Sequence, residues 1–131
     1  MDISNTSRKE VGRLGEAIAA AYLTRHGCTI VDRNVARKTG ELDIIARSEN
    51  ALHFVEVKTV LTDVFPNSRS TDDDYDPSFN LHAYKIKKVA RTAEWYVLEK
   101  SWGGEWQVDG CLVWLRRKDG HAYVRYLSQI L

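Results

Sequence analysis

An α/β domain with a mixed sheet, in the order α-β-β-β-α-β-β, is the architecture this sequence predicts. Three observations lead there. Two segments, near 8–26 and 81–100, carry apolar residues at helical spacing. Five others read as strands, and the first three are joined by connections too short for a helical crossover. The second helix separates the third strand from the fourth, so these two can lie parallel in one sheet.

The elements follow in order. Ser7 and Glu10 fit an N-terminal capping box, and Gly27 supplies a stop after about His26. Val11, Leu14, Ile18 and Tyr22 share one side of this helix, and Gly12, Gly15, Ala19 and Leu23 extend that side. Small residues on a buried face let a neighbour come close. Glu16 falls at the edge of this arc, beside Gly12 and Ala19. "TIVDRN" (29–34) is a first strand, "KTG" a turn, "ELDIIAR" a second strand, "SEN" a turn and "ALHFVEVKTV" a third strand. These three form an antiparallel meander. Residues 61–79 lack a period and hold both prolines and Asp72, Asp73, Asp74 and Asp76, so they read as a long loop. The second helix has Ile86, Val89, Ala90, Ala93 and Val97 as its stripe. After Gly103-Gly104, "WQVDGCLVWL" and "HAYVRYL" are strands joined by a turn with Asp119-Gly120.

A chain of 131 residues is one domain by length, residues 1–131, with room for one core. No apolar run approaches the ~20 residues of a membrane span, and the start has no apolar signal region. A cytoplasmic location without membrane attachment is expected. Cys28 and Cys111 then read as reduced core residues, and four scattered histidines suggest no zinc site. The net charge of +1 hides separated patches: Arg33, Arg37 and Lys38; Lys85, Lys87, Lys88 and Arg91; Arg116, Arg117 and Lys118.

The informative stretch is "GELDIIARSENALHFVEVKTV". Glu41, Asp43 and Ile45 share one face of the second strand, and Phe54, Glu56 and Lys58 share one of the third. A cross-strand charge pair on a wet face is the default reading. Against it, Phe54 and Ile45 lie on the same faces, and "ALHFV" is apolar on both sides, as in a central covered strand. The charges come early in the second strand and late in the third, ends that an antiparallel pair makes neighbours. Asp43, Glu56 and Lys58 therefore converge at one end of a buried sheet. Two carboxylates on adjacent strands suit Mg²⁺, which keeps several waters and binds one or two carboxylates plus phosphates. A lysine beside it can orient a water and offset developing charge, the equipment of phosphodiester hydrolysis.

These residues resemble a known family. "GELDIIA…FVEVK" looks like the PD-(D/E)xK nuclease motif, and more narrowly the YraN family, uncharacterised protein family 0102, related in fold to Holliday junction resolvases. "GRLGEAIAAAYLTRHGCTIVDRN", "KIKKVARTAEWYV" and "VDGCLV" extend the likeness over nearly the whole chain. Leu42 stands where the superfamily motif has proline. The resemblance implies a restriction-endonuclease-like fold and a Mg²⁺- or Mn²⁺-dependent endonuclease acting on branched or structured DNA. It makes Asp43 and Glu56 metal ligands, with the Val57 carbonyl as a third, Lys58 the catalytic lysine and Glu16 a first-helix acid at the same site. Junction-cutting relatives act in pairs, which extends the expectation to a homodimer.

Lys85 and Lys88 lie on one flank of the second helix, with Lys87 and Arg91 more to the opposite side. Solvated lysines are the default. Beside a nuclease-like site, Lys85, Lys88, Arg37 and Lys38 become phosphate contacts to DNA. Asp109 reads as a polar strand residue or a partner of the site rather than a ligand. Trp95, Trp102, Trp106 and Trp114 are mostly core, with one or two exposed enough to stack on bases. The intact Asp/Glu/Lys set favours an enzyme. The lack of a strong basic groove favours a non-catalytic nucleic-acid-binding or recombination-accessory module, and the acidic loop leaves room for a basic protein partner.

Overall fold

The computed structural model describes residues 1–66 and 83–131. Helix α1 (Arg8–Arg25) is followed by β1 (Thr29–Arg37), β2 (Gly40–Arg47) and β3 (Ala51–Thr62). Helix α2 (Ala83–Glu99), β4 (Glu105–Arg116) and β5 (Ala122–Leu127) complete the chain. This is the expected order, with β1 and β3 longer than their apolar patterns. The expected loop over 61–79 is seen only to residue 66, and its first two residues continue β3. The expected helix start at Leu81 and the aspartates of the loop lie outside the described residues.

Helix α1 begins where the sequence directs. The Ser7 side chain accepts from the Glu10 N–H at 3.2 Å. Glu10 does not return the bond; its carboxylate takes Arg13 at 3.0 Å. The helix ends in a Schellman motif: Cys28 N–H donates to Leu23 O and Gly27 N–H to Thr24 O, with Gly27 at φ 88°. Leu23 and Cys28, brought together by that motif, both join the core.

The sheet order is β1-β2-β3-β4-β5, with β3 and β4 parallel and every other pair antiparallel. The apolar third strand is central, covered on both faces. Val11, Ala19 and Leu23 of α1 pack against Ile44, Val55, Cys111 and Val113. Val89, Ala93 and Tyr96 of α2 pack against Ile45, Phe54 and Val108 on the other side. Two helices on a five-stranded mixed sheet in this order are the arrangement of a restriction-endonuclease-like fold.

The buried stripe of α1 is Val11, Gly15, Ala19 and Leu23, so its small residues make the closest approach to the sheet. A Cβ added to Gly15 would lie 1.7 Å from Thr59 Oγ1 and 2.7 Å from both Thr59 Cβ and Cγ2. No rotamer of Thr59 removes all three clashes. Gly15→Ala should therefore destabilise the protein by roughly 1–3 kcal/mol through overpacking. That outweighs the gain of about 1 kcal/mol in helix propensity. Urea unfolding checks it: the midpoint falls with the slope unchanged. A raised midpoint would contradict the close approach.

Strands β2 and β3 part company midway. Their last pair is Ile44 with Val55. Beyond it, β2 stays with β1, as Leu42 opposite Val35 and Glu41 opposite Ala36. Strand β3 stays with β4, from Glu56 opposite Gly110 to Thr62 opposite Arg116. Strict alternation also breaks here. Leu42 packs with Ile45 towards α2, whereas Ile44 packs towards α1. The slip occurs at Asp43, at the mouth of the fork.

Candidate metal centre in the fork of the sheet

Asp43 fills the gap between the parted strands. Its Oδ2 accepts the Val57 N–H at 2.9 Å, a main-chain donor freed by the loss of ladder pairing. A strand residue sends its N–H and C=O to the same edge, so the Val57 carbonyl faces this gap too. Glu56, from the neighbouring strand, is only 5% exposed. Burial, and then the negative charge of Glu56, push the Asp43 carboxyl up to about 8; the Val57 hydrogen bond opposes them, and Glu16 adds to them. The Glu56 charge thus sits close enough in a dry fork to disfavour ionisation of Asp43.

A cation answers them. Lys85, on the first turn of α2, places its ammonium 2.6 Å from Glu56 Oε1. Burial lowers the Lys85 pKa, but the Glu56 hydrogen bond and charge, with Asp43 and Glu41 behind, outweigh it and hold it above its ordinary value. Glu16 approaches from α1. Its Oε1 is buried with no hydrogen-bond partner, and burial raises its carboxyl, opposed by Arg33 and aided by Glu41 and Glu56. Glu16 therefore shares the electrostatics of the fork, as the helix arc suggested, without a bond to it.

Lys58 stands apart. It is exposed, and it is not among the charges that act on Asp43. It lines a groove with Arg8 and Arg117 near the start of α1. Of the cations expected to meet phosphate, Lys85 is at the carboxylates and Lys88 is one turn further along α2. Arg37 and Lys38 lie at the β1–β2 turn, in a cleft shared with Arg91 and Trp95. Arg91, set by helical spacing more to the side opposite Lys85 and Lys88, lines that cleft, and neither of those lysines does.

Asp109 is outside the fork. It is fully buried and closes a network that the sequence reading missed. Its Oδ2 meets His53 Nδ1 at 2.8 Å and accepts the Tyr126 hydroxyl; His53 Nε2 meets Ser48 Oγ at 2.8 Å. Its Oδ1 accepts Gln107 Nε2 at 2.7 Å and the Gln129 N–H at 2.9 Å. Burial and then the Asp109 bond drive the Tyr126 hydroxyl far above its ordinary range. The network ties the β2–β3 turn and the C-terminal segment to β4. His53 shares its face of β3 with Val55, a core residue, which was the available signal.

Among the described residues, no three His, Cys, Asp or Glu side chains gather closely enough to hold a metal ion by themselves. A cage is not what Mg²⁺ or Mn²⁺ requires. One or two carboxylates suffice when waters and substrate phosphate complete the shell. Asp43 and Glu56, with the Val57 carbonyl, are hard oxygen donors at one gap, and a zinc-type nitrogen or sulfur set is absent from them; Glu16 lines a neighbouring pocket with Arg13 and Arg33. The residues fit a hard divalent cation.

The chain is similar to a family of known proteins. The model of "Uncharacterised protein family UPF0102" matches residues 15–119, from α1 into the β4–β5 turn. The chain belongs to UPF0102. This is the family to which the motif resemblance pointed. A UPF0102 protein of Syntrophotalea carbinolica is 43% identical over 93 residues, 71% of this chain and 68% of its own. One from Campylobacter fetus is 37% identical over 98 residues, 75% and 78% of the two chains. One from Sulfurovum is 34% identical over 106 residues, 80% and 84%. The UPF0102 match contains Glu16 and the whole fork. No helix among the described residues is long and apolar enough to cross a membrane.

The raised Asp43 carboxyl has a consequence for stability. In the unfolded chain it releases its proton near 3.8, in the folded chain near 8. Between these values the folded state binds more protons, so stability should fall as pH rises through the window and level off above it. Urea titrations of metal-free protein at pH 5, 6.5 and 8 measure this. A stability that rises across the interval would contradict a carboxyl pair crowded in the fork.

Proposed function

We propose that this UPF0102 protein is a metal-dependent nuclease that hydrolyses phosphodiester bonds in branched or structured DNA. The observation that carries the reading is the fork. A sheet that parts to hold two mutually repelling carboxyls stores an arrangement that costs stability, which a cation would relieve.

In this reading Asp43 and Glu56 hold Mg²⁺ or Mn²⁺, with the Val57 carbonyl as a further oxygen. When bound, the ion polarises the phosphoryl oxygen and lowers the pKa of a water. The protein's own groups do the rest. The Val57 N–H fixes the Asp43 carboxylate. Glu16, held above its ordinary pKa, can receive a proton from water near the site. Lys58, two residues beyond Glu56 on the same strand, is free to meet charge developing on the phosphate. Lys85, Lys88, Arg37 and Lys38 neutralise backbone phosphates and orient the strand.

The ion pair between Lys85 and Glu56 favours one rival. It supplies positive charge to the fork without a metal, as a non-catalytic nucleic-acid-binding module would need. A cleavage assay on four-way, flapped and linear DNA with Mg²⁺ or Mn²⁺ separates the two. The nuclease reading expects cleavage that Glu56→Ala abolishes. Tight binding of branched DNA with no cleavage under either metal establishes the module. If cuts on junctions come in symmetric pairs, two copies are needed, and sedimentation of the DNA complex should find two chains per junction.

Binding itself should be salt-dependent. For each phosphate that Arg37, Lys38, Lys85 or Lys88 neutralises on duplex DNA, log K against log salt steepens by about 0.9. Changing Lys38 to Ala should remove about one such unit and weaken all sequences alike. A sequence-dependent loss would mean that it reads bases.

A further inference from the structure

A second site lies along α2 from the carboxylate fork. The turn between β1 and β2 seats against the helix: Thr39 Oγ1 meets Thr92 Oγ1 at 2.8 Å, and Thr92 Oγ1 donates to Lys88 O at 3.0 Å. Gly40 is part of the seating, since a Cβ there would lie 3.2 Å from Thr92 Oγ1. Between turn and helix opens a cleft of about 540 Å³, lined by Ala36, Arg37, Lys38, Thr39, Arg91 and Trp95. The Arg37 guanidinium lies over the Trp95 ring, 4.0 Å from its centroid. None of Arg37, Lys38 and Arg91 has a carboxylate partner among the described residues.

Three cations around one aromatic face are what a solvated helix surface lacks and what a flexible, unpaired nucleotide requires. The ring offers stacking to any base, and the cations offer charge to the phosphates on either side. The Arg37 guanidinium covers that ring at 4.0 Å, so an entering base takes its place on the ring or stacks on the outer plane of the guanidinium. A regular duplex, with its bases already stacked, cannot use the ring. From Lys85 to Trp95 along the helix is about 15 Å, roughly four nucleotide steps of a stacked strand.

We infer that the Arg37–Arg91–Trp95 cleft binds an unpaired nucleotide of the substrate strand, a few steps from the bond presented to the fork. The inference rests on the nuclease reading only for the class of ligand. It makes single-stranded segments the feature that this protein recognises in branched DNA.

The test uses full-length protein carrying Asp43→Asn, without added metal, so that no cleavage intervenes. Anisotropy measures its affinity for a fluorescein-labelled 12-nucleotide single strand and for the matching blunt duplex. Trp95→Ala should weaken single-strand binding roughly ten- to hundredfold and duplex binding less than twofold. Trp95→Phe, which keeps a ring, should restore most of the affinity. Arg91→Gln, a change on an exposed side chain that folding tolerates, should lower the salt slope for the single strand by about 0.7. Equal losses on both DNAs, or no loss from either Trp95→Ala or Arg91→Gln, overturn the inference. If wild type still cleaves DNA in that case, only the cleft has failed. If the cleft behaves as expected and no metal supports cleavage, the nuclease reading has failed instead.

Discussion

Asp43→Asn should abolish metal-dependent cleavage and, above pH 8, make the metal-free protein more stable than wild type. The two effects have one cause. The Asp43 carboxyl is disfavoured in its charged form by burial and by Glu56. An amide keeps the acceptor for the Val57 N–H and removes the charge. At pH 6 wild-type Asp43 carries its proton, and the variant should match it. At pH 9 the wild-type carboxylate is ionised beside another, and the variant should melt roughly 3–6 °C higher for each 1 kcal/mol relieved.

Metal reverses the order. A hundredfold excess of Mg²⁺ over its Kd stabilises wild type by about 2.7 kcal/mol, and the variant, with one carboxylate of the pair gone, should gain little. Cleavage should fall by at least about a hundredfold, the scale seen when one charge-stabilising group is removed. Differential scanning fluorimetry at pH 6 and 9, with and without Mg²⁺, measures all four states. A variant less stable than wild type at pH 9, or equally stabilised by Mg²⁺, would remove the fork as a metal centre.

Much of this was legible from the sequence because β3 carries two patterns at once. Its apolar residues fall on both faces, which places it centrally, and Glu56 interrupts them where a central strand has no reason for charge. The short "SEN" turn then forces β2 to run back beside it and brings Asp43 to the same end. The helix arc that held Glu16 pointed inward for a similar reason: Gly15 and Ala19 are small where the sheet is close.

Other features were not legible because they depend on where strands stop pairing. Strict alternation puts Leu42 with Ile44, yet Leu42 packs towards α2 because β2 turns at the fork. The same departure frees the Val57 N–H for Asp43. Lysine spacing on α2 gave no hint that Lys85 would reach Glu56, since nothing local encodes the docking of a helix end on a strand 29 residues earlier in sequence. Nothing local shows that Arg91 shares a cleft with Arg37 and Lys38, because the β1–β2 turn is far away in the chain. The Asp109 network joins residues from Ser48 to Gln129, and only the folded sheet gathers them.

Lys85→Met and Lys58→Met should have opposite signatures. Lys85 donates to Glu56 at 2.6 Å and so holds the carboxylate that a divalent ion needs. Its removal leaves a buried Glu56 without its counterion. Breaking a fully buried pair costs about 3–5 kcal/mol, but the Lys85 side chain is 54% exposed, and solvent screening reduces the loss to about 1–2 kcal/mol. Metal-free protein should therefore unfold earlier in urea. Mg²⁺ should bind more tightly, by roughly three- to tenfold, because the competing ammonium is gone. DNA binding should weaken, since the same lysine turns to a phosphate once the ion displaces it. Lys58 is exposed and outside the charges acting on Asp43, so Lys58→Met should alter neither stability nor Mg²⁺ affinity. Its cost should fall on the rate alone, about a hundred- to a thousandfold with DNA affinity unchanged, as for a group that acts only in the transition state. Calorimetric Mg²⁺ titration and single-turnover cleavage of both variants decide the matter. If Lys85→Met loses rate with no change in Mg²⁺ affinity while Lys58→Met cleaves normally, Lys85 carries the catalytic role and the lysine of β3 does not.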